Sequence, residues 1–178
     1  MKTKNNFIFK ALHLVAWLIF VGLSIEACGL LVNFIVSIYN PEFVPNLYQK
    51  LDLTEMYRQN KWYFYQIYSL TLSILFLKAI LFYVVIMLMY KLDLSKPFSQ
   101  YVSDTILKIS YFTFSIGIVS YIAKETIKHI QHKGFVINNL SPFATDSEAF
   151  ILMSAIIYII GIIFKKGIEI QNENELTI

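Results

Sequence analysis

FVGLSIEACGLLV, residues 20–32, decides the fold. Twelve of its thirteen residues are uncharged and mostly apolar; the thirteenth is Glu26. The run extends well past both sides of the acid, because between Ala11 and Tyr39 no other Asp, Glu, Lys or Arg occurs. About 20 mostly apolar residues suffice for an α-helix to cross a hydrocarbon core roughly 30 Å thick. The stretch is therefore read as a membrane span that tolerates one carboxylate.

Three further runs have the same character: about Phe64–Tyr90, about Ile106–Ala123, and about Ala149–Phe164, the last with helix expected over 146–166. The 178 residues are 57% hydrophobic and 15% charged, against about 25% charged in soluble domains. The expected fold is all-α, an integral membrane four-helix bundle. It forms one domain over residues 1–178, with spans at about 11–39, 64–90, 106–123 and 146–166 and a short tail at 167–178. A net charge of +3, with no basic cluster interleaved with aromatics, argues against direct nucleic-acid binding. The single cysteine, Cys28, cannot form an intrachain disulfide.

The basic start and apolar stretch of the first run also fit a signal peptide, and Ile25-Glu-Ala-Cys28 resembles a poor lipoprotein cleavage box. Glu26 stands where such a box carries a small or apolar residue, and the eleven residues after Cys28 stay apolar. The segment is expected to be retained as a span.

Local signals mark the ends. Thr145-Asp-Ser-Glu148 has capping-box spacing, Lys165 and Lys166 suit a helix C-terminus, and Gly167 offers a stop. Pro97, in LSKPFS, fits a first helical turn and forbids one uninterrupted helix from the second run into the third; residues 97–106 are expected at the interface. Tyr39, Trp62, Tyr63, Tyr90 and Tyr121 flank the runs, as amphipathic rings do at headgroup depth. In the loop at 40–62, Leu47, Tyr48, Leu51 and Met56 fit a short amphipathic helix on the membrane surface. Placing both termini in the cytoplasm puts eight basic residues inside and six outside, so the positive-inside rule favours that orientation.

Small and polar residues recur at helical spacing in each run: Gly22, Glu26, Gly29 and Asn33; Thr71 and Lys78; Ser110, Thr113, Gly117, Ser120 and Lys124; Ser154, Tyr158, Gly161 and Lys165. Lipid supplies no hydrophobic drive between helices, so close backbone approach and interhelical hydrogen bonds must hold them together. These stripes are the expected packing seams. Glu26 lies thirteen residues before Tyr39 and Lys78 twelve before Tyr90, which puts both at similar depth in antiparallel helices. Three readings of Glu26 follow: an ion pair with Lys78 that fixes register, a functional carboxylate for protons or a cationic ligand, or a protonated acid with Lys78 snorkelling away.

Catalytic patterns are missing. His13 stands alone; His129 and His132 are three apart but flanked by Lys128 and Lys133, a setting that disfavours a metal. There is no HExxH, CxxC, Walker loop or GxSxG, so neither an enzyme nor a bound cofactor is expected. Asn139-Leu-Ser141 has the form of a glycosylation triplet.

KPFS at 96–99, the third run and the ending FKKGIEIQNENELTI at 164–178 together resemble the domain-of-unknown-function 2975 family of small bacterial membrane proteins. Members carry a Pro-Phe-Ser segment before a spanning helix and a Gly-x-Glu-Leu-Gln-x-Glu-x-Asp-Leu-Thr-like tail; here Ile170 replaces the Leu and Glu175 the Asp. The likeness covers mostly residues 60–178 and implies four spans and no assigned activity. Similar proteins are often encoded beside a small helix-turn-helix regulator. The expectation is a bacterial inner-membrane regulatory or interaction protein with a cytoplasmic partner; the alternative is a small permease or proton-coupled carrier using Glu26. Homo-oligomeric state is left open.

Overall fold

The computed structural model describes residues 2–40, 54–93, 97–134 and 146–175. Within them lie five α-helices and no strand: α1 Lys2–Tyr39, α2 Thr54–Gln59, α3 Lys61–Lys91, α4 Gln100–His132 and α5 Ser147–Glu175. All but α2 are long and apolar enough to cross a membrane, which gives the all-α four-helix bundle that the hydropathy pattern implies. Each long helix packs chiefly on its neighbour in the chain, and the α4–α5 contact is the most extensive.

The helices outrun the apolar runs that announced them. Residues 97–106 lead into one continuous helix: Ser99 caps α4, its Oγ accepting from the Val102 amide at 3.4 Å, and the helix continues to His132. Gln100 supports the first turn by donating to Asp104 at 2.9 Å. At the other end Gly134, with φ of 87°, closes the helix through an amide bond to the Gln131 carbonyl, a conformation glycine adopts without a Cβ penalty. Hydropathy marks where a helix is oily, whereas caps and breakers mark where it ends. Asn60 makes the same point for α3, its side chain accepting from the Trp62 amide at 2.9 Å.

Two local expectations are corrected. Pro97 precedes the Ser99 cap and so stands outside the first turn of α4. Gly167 does not stop the last helix, which runs on to Glu175; the Phe98 ring packs 2.9 Å from where a Cβ at Gly167 would sit, and Lys166 pairs with Glu169 one turn on. The expected tail is thus largely helix. Of the capping box, Thr145 lies outside the described residues, and Glu148 reaches Lys124 Nζ at 2.7 Å and accepts from Ser147 Oγ at 2.9 Å. Asp146, with φ of 71°, precedes α5 and accepts from the Phe150 amide.

Helix α2 buries Met56 and Tyr57 in a core with Leu30, Phe64, Tyr68 and Ile130. Leu47, Tyr48, Leu51, Asn139 and Ser141 lie outside the described residues. Aromatic contacts set the α1–α3 register: Phe34 stacks on Tyr68 at 5.1 Å and meets Tyr65 edge-on, while Phe20 meets Tyr83 at 5.9 Å. The two helices are therefore antiparallel, tied by Tyr68 Oη donating to the Leu30 carbonyl at 3.0 Å.

Small residues do the same for α4 and α5. Ser103 Oγ donates to the Gly161 carbonyl at 3.3 Å, and Ser110 Oγ to the Ser154 carbonyl at 2.9 Å. Gly117 faces Ser147 and Ile151 so closely that an added Cβ would lie 2.7 Å from Ile151 Cγ1 and 3.0 Å from its backbone nitrogen. Successive members on each helix are seven residues apart, two turns, so the same face returns each time.

Gly117→Ala is expected to lower thermal stability in detergent by about 1–3 kcal/mol, the usual range for overpacking. Gly22→Ala, where nothing lies within 4 Å, should be neutral or raise it by up to about 1 kcal/mol. Equal responses of the two would contradict the α4–α5 close approach.

Candidate functional site

The contacts fix relative levels along the bundle. Because Ile74 packs with Ala123 and Gly117 faces Ser147, Lys78 of α3, Asp146 at the start of α5 and the middle of α4 share one level. The α1–α3 ring contacts bring Glu26 to that level as well. Lys78 is half-buried, and Asp146 and Glu26 are the carboxylates whose charges act on it. Its Nζ also lies 5.5 Å from the Phe150 ring centroid, within cation–π range. Glu26 thus acts on Lys78 in the expected attractive sense, and Asp146 joins it there. The sequence carried no pairing signal for Asp146, because its level depends on the α4–α5 register. Lys124 and Glu148 form an ion pair at 2.7 Å just beside this cluster.

The expected seams are brought together unevenly. Thr113, Gly117, Ser120, Ser154 and Gly161 are all buried, with Gly117, Ser154 and Gly161 at the α4–α5 contact. Thr113 Oγ1 donates back to the Ile109 carbonyl at 2.8 Å, and Gly161 takes the Leu107 side chain where a Cβ would be. On α1 the seam is displaced: Gly22 is exposed, and neither it nor Gly29 has an atom within 4 Å of an added Cβ. Asn33 is only half-buried there. The line α1 turns inward is Ala16, Leu23, Ala27, Leu30, Phe34 and Ser37, one residue further on and so about 100° round the helix. Rings from α3 fill this interface, so α1 needs no glycine for close approach.

Ser103 and Ser147 complete the α4–α5 contact and were outside the expected seams. Their signal was present as the seven-residue spacings Ser103–Ser110–Gly117 and Ser147–Ser154–Gly161, running in opposite directions.

A cavity of about 490 Å³ opens between α3, α4 and α5, lined by Phe82, Val85, Ile109, Thr113, Phe150 and Met153, with Asp146 at one end. Its walls are apolar, suited to hydrocarbon rather than to a solvated ion. His13 Nε2 is buried with no hydrogen-bond partner among the described residues. His129 and His132 are exposed on the last turn of α4, and no group of three or more metal-ligating side chains occurs among the described residues.

Comparison with protein-family models, curated proteins and solved structures returns no match. Fold and site chemistry therefore define the class alone: a multi-pass membrane protein, by its four long apolar helices.

Double-mutant cycles on thermal stability should give a favourable coupling for Lys78 with Asp146 and for Lys78 with Glu26, each in the range of about 0.5–3 kcal/mol typical of contacting groups. No coupling in either cycle would contradict the cluster.

Proposed function

We propose that the protein is a regulatory or interaction protein of a bacterial inner membrane, with both termini in the cytoplasm and a soluble cytoplasmic partner. The observation that carries this reading is the joined surface at the terminal end of the bundle. Phe98, from the KPFS segment, packs on Phe164 at 5.3 Å and against Gly167. This joins the α3–α4 connection to the last turns of α5. By the α4–α5 register, Phe164 is level with Gln100 at the start of α4. Lys165–Glu175 therefore projects beyond α4 by about 16 Å of helix. Along it Lys165, Lys166, Glus169 and 173 and Ile170 are exposed, a mixed charged and apolar face of the kind a protein partner recognises.

The resemblance of KPFS and the tail to the domain-of-unknown-function 2975 family supports the same reading, since both of its motifs meet at this surface. A helix-turn-helix regulator is the partner class that resemblance implies, with any nucleic-acid contact made by the partner. The protein itself performs no catalysis in this reading.

Deleting residues 168–178 tests it. Abundance in the membrane should stay within about twofold of wild type, because the spans are intact, while a co-purifying soluble partner is lost. Phe98→Ala should weaken the same capture in the full-length chain. A partner retained undiminished by both variants would contradict the proposal.

A further inference from the structure

We propose that one surface of the bilayer runs through Glu26, Lys78, Lys124, Asp146 and Glu148, a belt that meets lipid headgroups. Past it α1, α3 and α4 continue, closed by α2, as a helical cap in the aqueous phase. This is independent of the regulatory reading and of which leaflet is cytoplasmic.

The belt follows from level and charge together. The side-chain contacts that fix register bring these five residues, from all four long helices, to one end of a shared charge-free zone. Lys10, Lys91, Lys108 and Lys165 mark its other end. Between the two bands α1 has fifteen residues without Asp, Glu, Lys or Arg, α3 twelve, α4 fifteen and α5 sixteen. Sixteen residues of helix span about 24 Å, and the stems of Lys10 and Lys108, which lean outward at the far end, extend this towards a core of roughly 30 Å. Side chains on a helix lean towards its N-terminus, so Lys78 leans towards the belt side, which suits the shorter stretch on α3. If Glu26 and Lys78 instead marked the midplane, Lys124, Asp146 and Glu148 would be drawn into hydrocarbon with them. So would the first-turn amides of α5, which have no intrahelical acceptors and belong where water reaches.

The surface changes character at the same level. Inside the zone the exposed residues include Ile80, Tyr83, Phe114, Ile118, Met153 and Ile156. Past the belt α3 exposes Gln66, Ser69 and Ser73, and α4 exposes Glu125, Lys128, His129 and His132. Past the belt α1 keeps an apolar exposed face at Val32, Ile35 and Ile38, and α3 also exposes Trp62 and Phe76, so the weight rests on the polar residues of α3 and α4. The cap also has its own packed interior: Met56, Tyr57, Phe64, Tyr68 and Ile130 form one buried cluster.

Water-soluble maleimide labelling of the full chain in lipid nanodiscs, where both faces meet water, decides the matter. Single cysteines at Ser69→Cys and Ser73→Cys, in a Cys28→Ser background, should react at least about tenfold faster than Phe114→Cys, because the reactive thiolate requires water. Protection of both serine positions equal to that of Phe114→Cys would overturn the belt. As a second measurement, Ser73→Glu should accumulate in the membrane as wild type does while Phe114→Glu is lost; loss of both would overturn it too.

Discussion

The α4–α5 contact sets the level of everything around it. In lipid there is no hydrophobic gain when one oily helix meets another, so association rests on dispersion at close range and on interhelical hydrogen bonds. Ser103, Ser110 and Gly117 supply both against Gly161, Ser154 and Ser147. A slip of one turn would lose both serine bonds and drive Gly117 against a different side chain. With α5 held at this height, Asp146 comes beside Lys78 and Glu148 beside Lys124. The charged groups that look misplaced in single runs of sequence thereby gather at one level.

The α1–α3 interface works by different physics. Phe34 packs on Tyr65 and Tyr68, and Phe20 on Tyr83 further along, ring contacts that favour association beyond simple area. Ala27 and Leu30 leave room for them, and Tyr68 satisfies its hydroxyl on the Leu30 carbonyl. Helix α4 is the most enclosed span, with 39% of its most apolar window buried against 17% for α1. Helix α5 stands at 17% as well, so α4 is the hub and α1 and α5 lie at the edges. The Phe98 contact with Phe164 and Gly167 ties the far end of the hub pair to the projecting end of α5.

Much of this was legible in the residues. Apolar run length gave the four long helices, and the recurrence of Gly117, Ser154 and Gly161 gave the α4–α5 contact. Helix ends were less so, because Ser99, Asn60 and Gly134 act through caps and backbone conformation that hydropathy does not register. The α1 stripe of Gly22, Gly29 and Asn33 misled, since small residues permit close approach without requiring it, and the aromatic residues of α3 select the neighbouring face. Asp146 was invisible as a partner of Lys78 because their proximity depends on the register of two other helices. Glu26, the residue that first raises the question, is explained only when all four levels are known together.

A disulfide trap reads that register most directly. In a Cys28→Ser background, Ser110→Cys with Ser154→Cys should crosslink under mild oxidation in the membrane, because the Ser110 hydroxyl lies 2.9 Å from the Ser154 carbonyl and a disulfide needs Cα atoms within about 7 Å. Ser110→Cys with Tyr158→Cys, one turn away, should crosslink poorly. Efficient bridging of 110 to 158 in preference to 154 would contradict the register and the shared level of charge built upon it.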